Sequence, residues 1–342
     1  MQRIRRKQHK NAVWMAAVLL PLLLWLPQTV QASEPKRLIP VGQTVGITMD
    51  TKGILVLGTD PVDGTESRAA GRTLLQAGDF ILQANGTPLE NKESFSAAVQ
   101  ESRGKPMRLL LERDGKQREV EVTPAFSKAE HSFKLGIWVR DSIQGVGTVT
   151  YYDPETQGFG ALGHGVYDVD TDTLLPIREG ALLPAKLTEI VKGEKGCAGE
   201  LRGKVERKPQ IATIRKNTES GLYGIGGADH FAGEALPAAA PEEIRKGEAV
   251  LLSDLEGQGV RAYALQIESL SVGRKDQRDM TLRITDERLL QTTGGIVQGM
   301  SGSPIIQDGK FIGAVTHVMV NDPTKGYGIS IGNMLEHGVQ AG

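Results

Sequence analysis

One cysteine, Cys197, is all the thiol chemistry available in 342 residues. No intramolecular disulfide can form, and no cysteine-ligated zinc site can be built. That thiol, in Gly196-Cys197-Ala198-Gly199, has two readings: a nucleophile, or a small buried apolar side chain with no histidine nearby in sequence to activate it. Aromatic residues are scarce, at 5 %. Net charge is almost absent, since 40 basic side chains offset 41 acidic ones, and this leaves no electrostatic footprint for nucleic acid. Helical repeats and low-complexity tracts are missing as well. Glycine, in contrast, reaches 42 residues, which implies many turns and short strands. The length suits two or three domains.

The N-terminus reads as a targeting segment. Arg3, Arg5, Arg6, Lys7 and Lys10 precede an uncharged apolar run from Ala12 to Pro27, and Val30-Gln31-Ala32 ends in a small residue that suits a signal peptidase. The run is shorter than the ~20 residues of a comfortable spanning helix. Residues 1–33 are therefore expected to be a signal peptide or a membrane anchor. The charge bias directs Ser33 onward out of the cytoplasm. Residues 34–41 are polar and proline-containing, a linker.

From residue 42 the chain turns to short β-like pieces. Val45-Gly46-Ile47-Thr48-Met49 and Ile54-Leu55-Val56-Leu57-Gly58 flank the turn Asp50-Thr51-Lys52-Gly53, and a short helix is expected over 68–75. Gln76-Ala77-Gly78-Asp79-Phe80-Ile81-Leu82-Gln83-Ala84-Asn85-Gly86-Thr87-Pro88-Leu89 follows, with Asn85-Gly86 as a tight-turn signal. Next come a helix with Phe95, Ala98 and Val99 on one face, and a hairpin turned at Asp114-Gly115. Residues 42–124 resemble a PDZ domain, a fold that binds an extended peptide as an added strand beside a helix. That resemblance makes Val45, Gly46 and Ile47 the carboxylate-binding loop, although they depart from the usual Gly-Leu-Gly-Phe. Residues 125–133 read as a second linker.

Residues 134–342 are β-rich and punctuated by glycine, which suggests a barrel or sandwich. Within them lies Gly294-Gly295-Ile296-Val297-Gln298-Gly299-Met300-Ser301-Gly302-Ser303-Pro304. Glycines on both sides of Ser301 leave its hydroxyl uncrowded and let the N–H groups of Gly299 and Ser301 converge. That suits a nucleophile with an oxyanion hole; the alternative is a serine that caps a hairpin turn.

A serine nucleophile needs a base and an acceptor that orients it. His164, in Gly160-Ala161-Leu162-Gly163-His164-Gly165, stands at a strand end between glycines, as a base or as a structural histidine. His317, in Val315-Thr316-His317-Val318, points into the same cleft or is a core residue, and His230 follows Asp229 in a surface turn. The acceptor candidates are Asp286, Asp254 and the run Asp168-Val169-Asp170-Thr171-Asp172. That run, with Glu179 at the twelfth position, has some features of a calcium loop, but Thr173 stands where the loop needs glycine, and no flanking helices are evident.

Almost the whole chain resembles one family. G-A-L-G-H-G with a nearby D-x-D-T, and T-G-G-I-V-Q-G-M-S-G-S-P-I-I-Q-D-G-K-F-I-G-A-V-T-H-V-M-V-N-D-P-T-K-G-Y-G-I, are similar to the stage IV sporulation protein B family of serine peptidases. The resemblance implies a mostly β protein with some α, in which a PDZ-like domain precedes a chymotrypsin-like double β-barrel over 134–342. It implies His164, Asp286 and Ser301 as the catalytic triad, with no metal or organic cofactor. Met300 stands where digestive proteases carry an aspartate, which excludes activation by a freed N-terminus pairing with it. The family also implies export across the forespore inner membrane into the intermembrane space. There its members cleave a membrane-bound regulator of an intramembrane metalloprotease and so release processing of a sigma-factor precursor. They also cut themselves, with the PDZ module engaged in trans, and residues 33–44 are the expected place. The rival from another class is a non-catalytic, exported PDZ scaffold.

Overall fold

The computed structural model describes residues 35–63, 74–206, 209–271 and 278–338. The expected signal or anchor segment, 1–33, and nearly all of the short helix expected over 68–75 lie outside them. Among the described residues no helix is long and apolar enough to cross a membrane.

Six antiparallel strands close a first barrel. Thr44–Thr59 pairs with Ile137–Asp153, and the ring continues through Gly158–Ala161, Gly221–Gly226, Ala212–Thr218 and Ile177–Leu183 back to Thr44–Thr59. Alternate residues of one strand share a face, so Val45, Ile47 and Met49 all enter the core, with Val149, Phe159 and Leu182 opposite. A second barrel closes through Gly247–Ser253, Arg261–Leu270, Met280–Ile284, Lys325–Ser330, Lys310–Val318 and Pro304–Gln307. Leu251, Leu265, Leu282 and Ile305 fill its centre with no exposed surface beyond 1 %. The protein is thus mostly β with a double barrel, as the resemblance implied.

The PDZ-like module is not a separate N-terminal domain. It is inserted into the first hairpin of the first barrel. Residues 44–50 pair with 142–148 inside the barrel; the same two strands then run out of it, where 55–59 pair with 137–140. A bulge over 51–54 separates the halves, and the Thr51 hydroxyl bonds Gly53 and Asp141 carbonyls across it. The outer half of Thr44–Thr59 continues into Phe80–Ala84, Met107–Arg113 and Lys116–Val122. Helix Lys92–Glu101 lies on this sheet. Its N-terminus is set by a reciprocal cap, Ser94 N–H to Asn91 Oδ1 at 2.8 Å and Asn91 N–H to Ser94 Oγ at 3.2 Å. Phe95 and Val99, one turn apart, are buried against Ile81, Leu109 and Leu111.

Three expected boundaries change accordingly. Residues 44–59 form one bulged strand rather than two strands around a turn, so 42 does not open a free-standing domain. The linker 34–41 contains strand Arg37–Pro40, paired with Leu236–Pro237 and with Tyr151 and Tyr152, and Leu38 is fully buried. A cut over 37–40 would have to pull this strand out, which corrects the expectation of a flexible tether there. The linker 125–133 is a short hairpin, Ala125–Ser127 with Ser132–Lys134. It leans on helix Lys92–Glu101 because the Gln100 amide bonds both the carbonyl and the N–H of Phe133.

Candidate active site

His164 is delivered by a tight reversal at the end of strand Gly158–Ala161. Leu162 and Gly163 are both left-handed, with φ of 69° and 71°. For leucine this is a costly conformation that the surroundings must impose. Asn217 supplies part of the imposition. Its side chain accepts from Val166 N–H at 2.9 Å and donates to the carbonyls of Val166 and Leu175 at 2.7 and 3.0 Å. Gly165 N–H is held by the Glu219 carbonyl at 3.0 Å.

Ser301 arrives from the second barrel. Helix Glu287–Thr293 begins on an Asp286 cap and ends at Gly294, left-handed at φ 75°. The chain then runs through Ile296, Val297 and Met300, all buried in the second core. Met300 therefore takes the aspartate's place as a core residue. The serine loop is also tied to a ribbon, Ala185–Val191 with Glu200–Val205, which reaches over from the first barrel. Gln298 N–H bonds the Gly199 carbonyl and Leu201 N–H bonds the Gln298 carbonyl, both at 2.8 Å.

Thr148, in the first barrel, joins the two loops. Its hydroxyl donates to the Gly299 carbonyl at 2.8 Å, and its N–H donates to the Ser301 carbonyl at 3.2 Å. Its own carbonyl accepts from Leu162 N–H at 3.1 Å. Gly302 sits where these contacts meet, at φ 96°. A Cβ there would lie 2.2 Å from the Thr148 oxygen and 2.6 Å from the Leu162 nitrogen. Only glycine lets the Ser301 loop approach the His164 loop this closely.

Ser301, His164 and His317 line one cavity of about 500 Å³. The His164 and His317 rings are stacked with centroids 4.7 Å apart and a 35° tilt. His164 Nδ1 lies 2.8 Å from the Gly165 carbonyl. A carbonyl only accepts, so Nδ1 carries the proton and Nε2 keeps a free lone pair. Burial lowers the His164 pKa below its ordinary value, against the Gly165 bond that raises it, and so keeps the ring neutral. The His317 pKa is pushed down to about 4 by partial burial first, then by repulsion from His164 and Arg278. The residue keeps surface open to solvent. Ser301 Oγ donates to the Thr316 carbonyl at 2.5 Å. The N–H groups of Gly299 and Ser301 are bonded to no described residue, while the neighbouring N–H groups of Met300 and Gly302 are.

The structure does not bring Asp286 to this imidazole. As the helix cap it accepts from the N–H groups of Arg288, Leu289 and Ala264, and its carboxylate is paired with the Arg288 guanidinium at 2.7 Å. That pair, outweighing burial, holds its pKa down to about 2. The residue's effect on the serine is to start the helix that feeds the loop. Asp168 is spent too: one oxygen caps its own turn through Asp170 and Thr171, and the other pairs with Arg140. The acidic run is a capped turn, and among the described residues no cluster of three metal-ligating side chains occurs.

Val45, Gly46 and Ile47 are not a carboxylate-binding loop. They lie inside the first barrel, between Ile177–Leu183 and Ile137–Asp153. The groove of the PDZ-like module is elsewhere. A cavity of about 670 Å³ separates Lys92, Phe95, Ser96 and Val99 of the helix from residues 135–139. Residues 137–140 pair with 55–59 on one side, and no described residue pairs with them on the other. Leu135 and Gly136 N–H groups, at the groove's end, are bonded to no described residue. Cys197 is exposed rather than buried, at the ribbon tip, and its neighbour Ala198 lines the cavity that holds Ser301 and His164. Neither Thr148 nor Asn217 sits in a motif that sequence reasoning could find: Asn217 acts through bonds to residues 51 and 42 positions away, and Thr148 through bonds to residues 151 and 153 positions away.

A family model described as SpoIVB peptidase S55 matches residues 131–335, more than half of the chain. No curated protein matches. Among solved structures, the active form of the Rv3671c protease from M. tuberculosis is 17 % identical, covers 58 % of this chain and 78 % of its own, with a TM-score of 0.32. The HtrA-type protease AlgW with a decapeptide is 9 % identical over 87 % of this chain and 63 % of its own, at 0.33. The PDZ domain of an SdrC-like protein from Listeria monocytogenes is 17 % identical over 26 % of this chain and 87 % of its own, at 0.22. At such TM-scores the fold rests on the strand pairings above, not on these likenesses.

Proposed function

The chain belongs to the SpoIVB peptidase S55 family and is a serine endopeptidase, and from that premise we propose that Ser301 is its nucleophile and His164 its base. The observation that carries this reading is the meeting in one cavity of the Ser301 hydroxyl, a histidine with a free Nε2, and two unspent N–H groups beside the serine. For attack, Ser301 Oγ turns from the Thr316 carbonyl to His164 Nε2 and gives up its proton there as Oγ bonds the scissile carbonyl carbon. The N–H groups of Gly299 and Ser301 receive the oxyanion, each donor worth about 3 kcal/mol. The imidazolium returns its proton to the leaving amine, and water hydrolyses the acyl-enzyme by the same route. The Gly165 carbonyl, not a carboxylate, holds the tautomer. Ser301→Ala in the full chain is expected to abolish cleavage of a protein substrate while leaving the melting temperature unchanged; undiminished cleavage overturns the assignment.

The same proposal extends to the protein's role. We read it as an exported signalling peptidase of endospore formation, acting between the forespore membranes on a membrane-bound regulator of an intramembrane metalloprotease. What supports this is family membership, together with an N-terminal basic and apolar sequence suited to export. The groove along residues 135–139 is the docking place for a substrate segment, or for a second copy in trans, added as a strand on the edge that no described residue covers. Self-cleavage belongs to the same reading and falls ahead of the paired strand Arg37–Pro40. In a spore-forming host, Ser301→Ala is expected to block sigma-factor precursor processing. Normal processing would favour the scaffold reading instead.

A further inference from the structure

The sheet of the PDZ-like module has two apolar faces. Side chains alternate along a strand, so Ile54, Val56 and Ile81 point one way and pack with Phe95 and Val99 of helix Lys92–Glu101. Leu55, Phe80 and Leu82 take the opposite face, where Leu175 and Val166 from the first barrel's part of the chain cover them. Phe80 therefore belongs to the joint with the barrel and not to the module's own core. The covering segment is the one that leaves His164. It is a hairpin, Tyr167–Asp168 with Thr173–Leu174, closed at its base by Leu175 N–H on the Val166 carbonyl at 3.1 Å. Arg140, opposite Leu55 at the module's neck, is paired with the buried carboxylate of Asp168 in this hairpin. A Cβ on Gly165 would lie 2.6 Å from the Leu174 side chain and 3.0 Å from the Tyr167 ring. The hairpin thus presses on the residue whose carbonyl holds His164 Nδ1.

One continuous piece therefore lies between the module and the imidazole. Leu175 packs with Leu55 and Phe80, and its N–H passes that position to Val166. The Gly165–Val166 peptide then gives its N–H to Asn217 at 2.9 Å and offers its carbonyl to His164 Nδ1 at 2.8 Å. Val166 reaches both ends of the path: it packs with the Leu175 cluster and lines the cavity that holds Ser301 and His164. Resting on the assignment of Ser301 and His164, we propose that Phe80 and Leu55 of the PDZ-like module are positioning residues for the catalytic imidazole, acting through Leu175 and the Gly165 carbonyl. The module serves the reaction even when nothing occupies its groove, which lies on the helix-covered side. Trimming Phe80 gives Leu175 room to shift; the Gly165 carbonyl shifts with it, and Nε2 loses its aim at Ser301 Oγ. A misplacement of ~1 Å at such a point costs about 10²-fold in rate.

The test uses the full chain and a fluorophosphonate, a small probe that needs no docking in the groove. Labelling forms the Ser301 Oγ–P bond, expels fluoride and passes the serine proton to His164, so the maximal rate kinact reports the imidazole's aim and KI reports access. Phe80→Ala is expected to lower kinact at least about tenfold with KI within about twofold. Phe80→Leu, which refills most of the space, is expected to return within about threefold of wild type. Leu175→Ala is the second variant, with the same expectation as Phe80→Ala, and it leaves the module's own core whole. Leu109→Ala, on the helix-covered face of the same sheet, is expected to keep kinact within about twofold below its unfolding transition. The ring-nitrogen NMR signals of His164 give a direct signature: the Nδ1–H tautomer in wild type, mixed tautomers in Phe80→Ala. A wild-type kinact and an unmixed Nδ1–H signal in folded Phe80→Ala and Leu175→Ala overturn this inference and leave the peptidase assignment standing, and so does an equal loss in Leu109→Ala. A wild-type chain that takes up no label at Ser301 overturns the assignment and this inference with it.

Discussion

Replacing Thr148 by valine keeps the side-chain volume and removes one hydroxyl. In the structure that hydroxyl donates to the Gly299 carbonyl at 2.8 Å, across the boundary between the barrels. Gly299 is partly exposed, so water can take over the abandoned carbonyl, and the stability cost should sit at the low end of a lost hydrogen bond, about 1 kcal/mol. The effect on catalysis should be larger than that figure suggests. The peptide that Thr148 fixes adjoins the Gly299 N–H, one of the two proposed oxyanion donors. If the whole of a bond worth about 1–1.5 kcal/mol is felt only in the transition state, kcat falls by about 5- to 13-fold. Complete loss of an oxyanion donor, at about 10²–10³ in kcat, sets the ceiling. KM should stay within about twofold, since the ground-state cleft is untouched. Steady-state kinetics on a cleavable peptide, beside urea denaturation, would measure both quantities. A kcat within twofold of wild type, in a variant that has lost the expected stability, would refute the view that Thr148 sets the oxyanion geometry.

Gly302→Ala puts a Cβ 2.2 Å from the Thr148 oxygen. Overpacking against backbone should cost about 1–3 kcal/mol and more than 10²-fold in kcat, read by denaturation and by turnover. Asn217→Leu strands three partners at Val166 and Leu175. It should destabilise by about 2–4 kcal/mol and displace His164, seen as loss of activity at temperatures where the fold persists. Because burial lowers the His164 pKa, kcat/KM should rise with pH and reach half its plateau below 6.5, histidine's ordinary value; a midpoint above 6.5 would contradict it. His317, depressed to about 4, binds its proton in the unfolded chain first. Its contribution is complete above pH 6.5 and is lost as pH falls toward 4, so His317→Asn should flatten melting temperature against pH over that window.

Ser301 and His164, which the structure brings to one cavity, stand out in the sequence because each sits among glycines, where local sequence both frees the side chain and bends the chain. The β-rich character of the chain is readable as well, from its short apolar pieces set between glycine and aspartate turns. What sequence could not show was partner choice. Val45, Gly46 and Ile47 have an unremarkable strand pattern, and nothing local says whether their neighbours are 177–183 or a peptide ligand. Asp286 is the triad acid that the family resemblance implies, yet the residue two places on, Arg288, and the helix that begins there take up its oxygens. Leu38 lies in a polar stretch and is buried only because Tyr151, Phe311 and Met334 meet over it, from parts of the chain more than a hundred residues away. The sequence around His317 fits core and cleft equally, and only the approach of the first barrel puts His164 against it.

The two strands that serve both the first barrel and the PDZ-like module have a practical consequence. A fragment begun at residue 131, where the family match starts, would lack residues 44–50 and with them one stave of a six-stave cask. Ile177–Leu183 and the inner part of Ile137–Asp153 would each show a raw seam, and Leu182 and Val149 would be wetted. Such a fragment should clump rather than hydrolyse. Excising the module at its neck instead, and rejoining residue 50 to 142 through a short turn, would leave the cask whole.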